Sequence, residues 1–285
     1  MKLTIRRLAY GLGAEVRDLD ITAPLGPDVV AAIRQAWLDH GVLVFGGQDL
    51  TLDQHIAFSR NFGELEAHPV KRYRQNASYP EIFEVTNKLI DGKPSESANV
   101  GRVWHTDGSV TTRPPTGSLL HCHELPEVGG DTWFANLYLA YETLSPALQQ
   151  MIEPLELVHD VRLATQRSSP GKEAGDHADV PAAIQPLVRT HPETGRKALY
   201  INPAVASHFH GMTREESAGL IDYLARHATR AEYTYRHRWT RHDLVMWDNR
   251  CTLHLAAGDF APGQIRHMCR TTLVGEASGR ILSAA

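Results

Sequence analysis

Apolar segments in this chain are short. Val42-Leu43-Val44-Phe45, Leu244-Val245-Met246-Trp247 and Leu155-Glu156-Leu157-Val158-His159 each run a few residues before glycine or a polar cluster stops them. Others alternate, as in Ile82-Phe83-Glu84-Val85-Thr86 and Tyr233 to Trp239, and Ser118 to His123 reads as a further strand. Such runs are strands, continuous where both faces are buried and alternating where one face meets water. Pro192-Glu193-Thr194-Gly195 sits between Leu187–Thr190 and Ala198–Ile201 as a hairpin turn, and Gly129-Gly130 turns into Thr132-Trp133-Phe134. Helical spacing is confined to a few stretches. Val30, Ile33, Trp37 and Leu38 follow Pro27 and stop at Gly41. Thr51 with Gln54 and Thr213 with Glu216 make capping boxes, and Leu137 to Ile152 is broken near Ser145-Pro146. The pattern predicts a mainly β architecture with helical insertions, an antiparallel two-sheet jelly roll. No domain boundary is visible, so residues 1–285 read as one domain.

The net charge of -4 gives no argument for nucleic acid or an anionic membrane. No apolar run approaches the roughly 20 residues that span a bilayer, and the N-terminal residues lack a signal-peptide stretch. Cys122, Cys251 and Cys269 are odd in number, widely spaced and free of CxxC pairs, which points to a reducing cytoplasm and no structural zinc knuckle. Gly11-x-Gly13 lacks the third glycine of a dinucleotide fingerprint and reads as a turn.

Chemistry concentrates at Trp104-His105-Thr106-Asp107. Residues i and i+2 of an extended segment face one side, so His105 and Asp107 can address one point. His254, just past the Asp248-Asn249-Arg250 turn, would complete two imidazoles and a carboxylate with open positions opposite, as non-haem Fe(II) oxygenases use. His121 and His123 are a rival i, i+2 pair without a matching carboxylate, and read as packing residues. A chelating 2-oxo acid leaves a distal carboxylate that a guanidinium holds bidentately. Arg266 on the last strand can supply it, with a hydroxyl from Thr132, while Arg270, four residues on along the same face, would sit nearer the reacting side. Two arginines on an exposed strand are the competing reading. Residues 87–103 are either a lid or a connector, 161–186 a polar excursion, and His68-Pro69 a histidine beside a turn.

Several blocks together resemble the taurine and dichlorophenoxyacetate dioxygenase family. They are Trp104-His105-Thr106-Asp107, Gly129-Gly130-Asp131-Thr132, Arg189-Thr190-His191-Pro192, Trp247-Asp248-Asn249-Arg250 with His254, and Arg266-x-x-x-Arg270. The resemblance runs from about Leu12 to about Gly275. It implies a double-stranded β-helix and an Fe(II)- and 2-oxoglutarate-dependent dioxygenase. Such an enzyme hydroxylates a small anionic organic acid with O2 and releases succinate and CO2. His105, Asp107 and His254 align with the iron ligands, and Thr132 and Arg266 with the distal-carboxylate pair. Arg270 aligns with an arginine near the metal-bound end of the co-substrate, on the substrate side. His68 aligns with a sulfonate-contacting histidine of the taurine enzymes, and Gly108 with a position lining the substrate pocket. Lys71, Gly101 and Gly108 depart from the taurine pattern, while Tyr235 to Trp239 and Leu244 to Cys251 are nearer the phenoxyacetate branch. A zinc hydrolase on the same ligands and a non-catalytic metal-binding sensor of an organic acid are the competing classes. Assembly as a homo-oligomer, dimer or tetramer, stays open.

Overall fold

The computed structural model describes residues 3–67, 78–90, 92–168 and 180–282. A seven-stranded sheet forms its spine, in the order Thr4–Arg7, Ala14–Arg17, Val42–Phe45, Leu244–Asp248, Gly117–Glu124, His267–Leu273, Phe83–Thr86. The continuous apolar runs fall at its centre, covered on both faces. Leu43, Phe45, Leu119, Leu244 and Met246 meet Ile33, Trp37 and Phe58 from the helices Pro27–His40 and Leu52–Arg60. Val42, Val44, Leu120, Val245 and Trp247 point the other way, towards Phe134 and Trp239. Phe134 belongs to the facing three-stranded sheet, Thr234–His237, Thr132–Asn136, Thr252–Ala256. Two-sided burial is why no polar residue interrupts Val42–Phe45.

A four-stranded sheet, Ala206–Phe209, Glu156–His159, Ala183–Pro186, Arg280–Ile281, and the hairpin Val188–Thr190 with Lys197–Leu199 extend the second layer. Helices Leu137–Glu142, Pro146–Ile152 and Arg214–Ala228 contribute to its core. The two capping boxes close as read, Thr51 with Gln54 and Thr213 with Glu216. The mainly β, jelly-roll expectation holds.

Four details differ from the sequence reading. Ala14–Arg17 pairs parallel with Val42–Phe45, so the large sheet is mixed, and the helix Pro27–His40 makes the crossover. Val161–Ser168 is a helix rather than part of a polar excursion, and Ala183–Pro186 is a strand. Ala231–Tyr233 is a 3-10 turn, which delays the alternating strand to Thr234–His237. Within 87–103 the chain forms a small hairpin, Leu89–Ile90 with Lys93–Pro94, and a 3-10 turn at Glu96–Asn99.

His191, Asp248 and Cys251 bring three potential ligand atoms together in the interior. This group is already satisfied. His191 Nδ1 accepts from the backbone N–H groups of Glu193 and Thr194, so Nε2 carries the proton and donates to Asp248 Oδ2 at 3.1 Å. Arg250 donates to both oxygens of Asp248, at 2.9 and 2.6 Å, and to Glu193 at 2.6 Å. Burial keeps the Cys251 thiol neutral. The cluster pins the Asp248–Arg250 turn that precedes His254. Asp248→Asn leaves Arg250 buried with half its partner, and is expected to cost about 3–5 kcal/mol in denaturant unfolding. A loss below about 1 kcal/mol would show that the turn holds without it.

Candidate active site

Main-chain geometry sets the site. His105 and His254 form an isolated antiparallel bridge, with His105 N–H to His254 O at 3.0 Å and His254 N–H to His105 O at 2.7 Å. Directly opposed residues of such a pair project to the same side. The two rings therefore meet, with centroids 4.0 Å apart, and Asp107 arrives two residues later. Nε2 of His105 and of His254 each lie 3.9 Å from Asp107 Oδ1. All three candidate donor atoms fall within 4.8 Å of one another.

Their protonation suits a cation. His105 Nδ1 is 2.8 Å from the Val103 carbonyl and donates to it, which leaves the Nε2 lone pair facing the site. Burial lowers the pKa of both rings, that of His254 far below the usual range, so both are neutral imidazoles. His254 Nδ1 is buried without a partner, and its ring packs 4.8 Å from Trp247. Burial works against the Asp107 carboxylate, yet Arg270 holds its pKa well below the ordinary value. Arg270 Nη1 donates to Oδ1 and Ser118 Oγ to Oδ2, both at 2.8 Å. Two neutral imidazoles and one ionised carboxylate, none of them committed elsewhere through the converging atom except by Arg270, fit a divalent first-row metal.

Around these three is a buried frame that sequence reading did not single out. Asn249 Nδ2 donates to Ser118 Oγ at 3.1 Å, its Oδ1 accepts from Trp247 Nε1 at 2.9 Å, and its carbonyl accepts from Thr106 Oγ1 at 2.8 Å. Asn202 Nδ2 donates to the Thr106 carbonyl and to Ser109 Oγ. Serine and asparagine are common residues, and nothing in their spacing distinguishes these. Glu66 was missed as well: half-buried, it has its pKa raised by burial and feels both Arg270 and Asp107.

Arg266 lies just ahead of the strand His267–Leu273, not within it as the sequence suggests, and faces inward. It is 6% exposed, donates through Nε to the Gly130 carbonyl at 2.9 Å, and places Nη2 3.4 Å from Thr132 Oγ1. Burial brings its pKa down to about 10, still cationic at neutral pH. Thr132 Oγ1 also accepts from Trp239 Nε1 at 3.0 Å, so its own O–H remains to donate. Gly130, at φ +72, is needed here: a Cβ would lie 3.2 Å from Arg266 Cδ. Arg266 opens onto a small recess lined also by Thr86, Asn87, Arg102, Ala256 and Phe260. Ala256 lies two residues beyond His254, so the recess adjoins the histidine pair.

Arg270 bonds Asp107 and lies 4.9 Å over the Phe83 ring, with Nε buried and unpartnered. Gly108 has φ +59 and a Cβ there would overlap Pro115, so its identity follows from the backbone. His68 and Lys71 lie outside the described residues. His121 and His123 sit away from the centre; His121 belongs to a histidine group with His55, His123 and His242, and its Nε2 contacts the Gln48 carbonyl at 2.7 Å.

Residues 4–272 match the family model described as taurine catabolism dioxygenase TauD, TfdA family. The alpha-ketoglutarate-dependent 2,4-dichlorophenoxyacetate dioxygenase of Cupriavidus pinatubonensis is 39% identical over 254 residues, 85% of this chain and 87% of that protein. A taurine dioxygenase from Burkholderia xenovorans superposes with a TM-score of 0.84 at 35% identity, covering 100% of this chain and 96% of that one. The structure of AAD-2 with Mn(II) and N-oxalylglycine gives a TM-score of 0.84 at 32% identity, covering 98% and 99%. The chain belongs to the TauD, TfdA family and is an oxidoreductase, a dioxygenase that works with Fe(II), 2-oxoglutarate and O2.

Proposed function

We propose that this dioxygenase hydroxylates a small anionic organic acid, a sulfonate or an aryloxyalkanoate-like carboxylate. His105, Asp107 and His254 hold the iron, and Arg266 with Thr132 holds the far carboxylate of 2-oxoglutarate. The observation that carries this reading is Arg266: a buried cation, hydrogen-bonded only to neutral acceptors, facing a recess beside the histidine pair. Relatives named for taurine and for 2,4-dichlorophenoxyacetate support an anionic substrate. The full span 1–285 acts as one catalytic domain in this reading. Its support is that the candidate ligands come from segments about half the chain apart and meet across one backbone bridge. Among the described residues no helix is long and apolar enough to cross a membrane. The three cysteines are free, which supports a cytoplasmic enzyme.

When bound, iron with 2-oxoglutarate and O2 supplies the oxidation of a C–H bond, with succinate and CO2 released. The chain contributes binding and orientation. Ser118 and Asn249 fix the Asp107 carboxylate, and Val103 fixes the His105 tautomer. Thr132 would donate its free O–H, and Arg266 its guanidinium N–H groups, to the far carboxylate of 2-oxoglutarate. Arg270 receives the substrate anion through its unpartnered Nε while keeping its bond to Asp107. Phe83, Phe134 and Trp247 wall the site against water. A zinc hydrolase and a non-catalytic sensor are not favoured, since the named relatives are oxygenases.

The test is O2 consumption and succinate release with Fe(II), 2-oxoglutarate and a panel of sulfonates, sulfate esters and aryloxyalkanoates. Succinate release that no acid in the panel stimulates would sink the substrate class. Arg266→Ala is expected to weaken 2-oxoglutarate binding at least about 30-fold with metal affinity unchanged, because it removes a charge partner and no ligand. Unchanged 2-oxoglutarate affinity in calorimetry would show that another cation does this work.

A further inference from the structure

Arg102 shares the recess with Arg266 and has no established task. Among the described residues its buried Nη1 has no hydrogen-bond partner, and Nη2 reaches the Ala98 carbonyl at 3.5 Å. The guanidinium stacks 5.4 Å from the Phe260 ring centroid. On another side it rests against Gly258, where a Cβ would overlap Nη1 and come within 2.9 Å of Cζ. The cradle therefore fits a planar cation and leaves no room for a side chain. Arg102 follows Gly101, whose carbonyl accepts from Ala256 N–H at 2.8 Å, so the arginine is fixed relative to His254.

The local charges do not balance. Asp131 and Asp259 are the nearby carboxylates, and both bond Arg236, at 2.6 and 3.0 Å. Arg102 feels Asp259 and Arg266 feels Asp131 only at longer range, and the two arginines repel each other. Among the described residues, three guanidinium groups thus face two carboxylates. Cys122 adds no charge, since burial lifts its pKa to about 12. One positive charge is left over in a recess lined by two arginines and no acid. An isolated surplus cation that is half-buried is costly unless an anion meets it.

We propose that Arg102 is a second guanidinium for the distal carboxylate of the oxo-acid co-substrate, and that with Arg266 it makes the recess selective for dicarboxylic over monocarboxylic oxo acids. This rests on reading the recess as the co-substrate site. Arg266 grips from the Thr132 side, and Arg102 from the Phe260 side, turning one charged contact into two. The consequence is discrimination: an oxo acid without the second carboxylate leaves both cations unpaired.

The experiment is calorimetric titration of the Mn(II)-loaded full chain with 2-oxoglutarate and with 2-oxovalerate, which has the same oxo-acid head and no distal carboxylate. Arg102→Met is expected to weaken 2-oxoglutarate about tenfold and to leave 2-oxovalerate unchanged. Arg102→Lys keeps the charge and the stem packing, so it should recover part of the loss even if the methionine variant folds poorly. Equal losses for both acids, or no loss for 2-oxoglutarate in either variant, would overturn the assignment. Arg266→Met separates the layers. If it loses 2-oxoglutarate while Arg102→Met does not, only the role of Arg102 fails. If neither variant distinguishes the two acids, the recess is not the co-substrate site and both readings fall.

Discussion

His254→Ala is expected to abolish turnover and to lower Fe(II) or Mn(II) affinity by more than about 100-fold. Losing an outer hydrogen-bond partner of a metal ligand already costs 10- to about 100-fold, and here a donor atom itself is removed. Strand content should survive, because the bridge to His105 uses main-chain atoms that alanine retains. A graded companion is Ser118→Ala, which deletes one hydrogen bond to Asp107 Oδ2 and should cost about tenfold in metal affinity. Anaerobic equilibrium dialysis with circular dichroism reads both effects. Metal binding that persists in His254→Ala would remove the histidine from the centre.

The second large effect is on stability in mild acid. Burial drives the pKa of His55 and His159 to about 3 and that of His121 and His267 to about 4. His121 and His123 repel a proton on His55, while Lys88 and His123 repel one on His267. Near His121, Asp49 attracts a proton while His123 and His242 oppose it. Each of these four rings stays neutral in the fold but takes a proton in the unfolded chain below about pH 6.5. Unfolding therefore gains protons as pH falls, and each ring contributes about 1.4 kcal/mol per pH unit between its unfolded and folded values. The stability is whole above pH 6.5 and is lost progressively towards pH 4. Asp248, held low by Arg250 despite its burial, adds loss in the same direction below about pH 4. Urea midpoints at pH 7.5 and 5.5 should differ steeply, and His267→Phe should flatten the slope. A midpoint that does not move between these pH values would mean the rings are hydrated in solution.

The sequence reading succeeded where a physical period is local. Val42–Phe45 and Leu244–Trp247 were legible because both faces are buried, and the capping boxes because each spans only a few residues. The parallel pairing of Ala14–Arg17 was not, since hydrophobic pattern carries no strand direction. Val161–Ser168 is an eight-residue helix with apolar residues only at Val161, Leu163 and Ala164, too few to set a readable period. At the site, His105 and Asp107 advertised themselves by their i, i+2 spacing. Ser118, Asn249 and Arg102 could not, because each acquires its task only from neighbours brought in from other strands. Arg102 lay inside a polar stretch that read as a loop, and its unpaired nitrogen is visible only in three dimensions.

The bridge between His105 and His254 has a consequence for how such an enzyme diversifies. The spacing of the two imidazoles is written into peptide groups rather than into the loops that meet the substrate. Exchange of residues around the mouth can retune which acid is accepted without retuning the anchorage of the ion. Grafting mouth residues from a relative with another preference should then transfer selectivity while metal affinity stays constant.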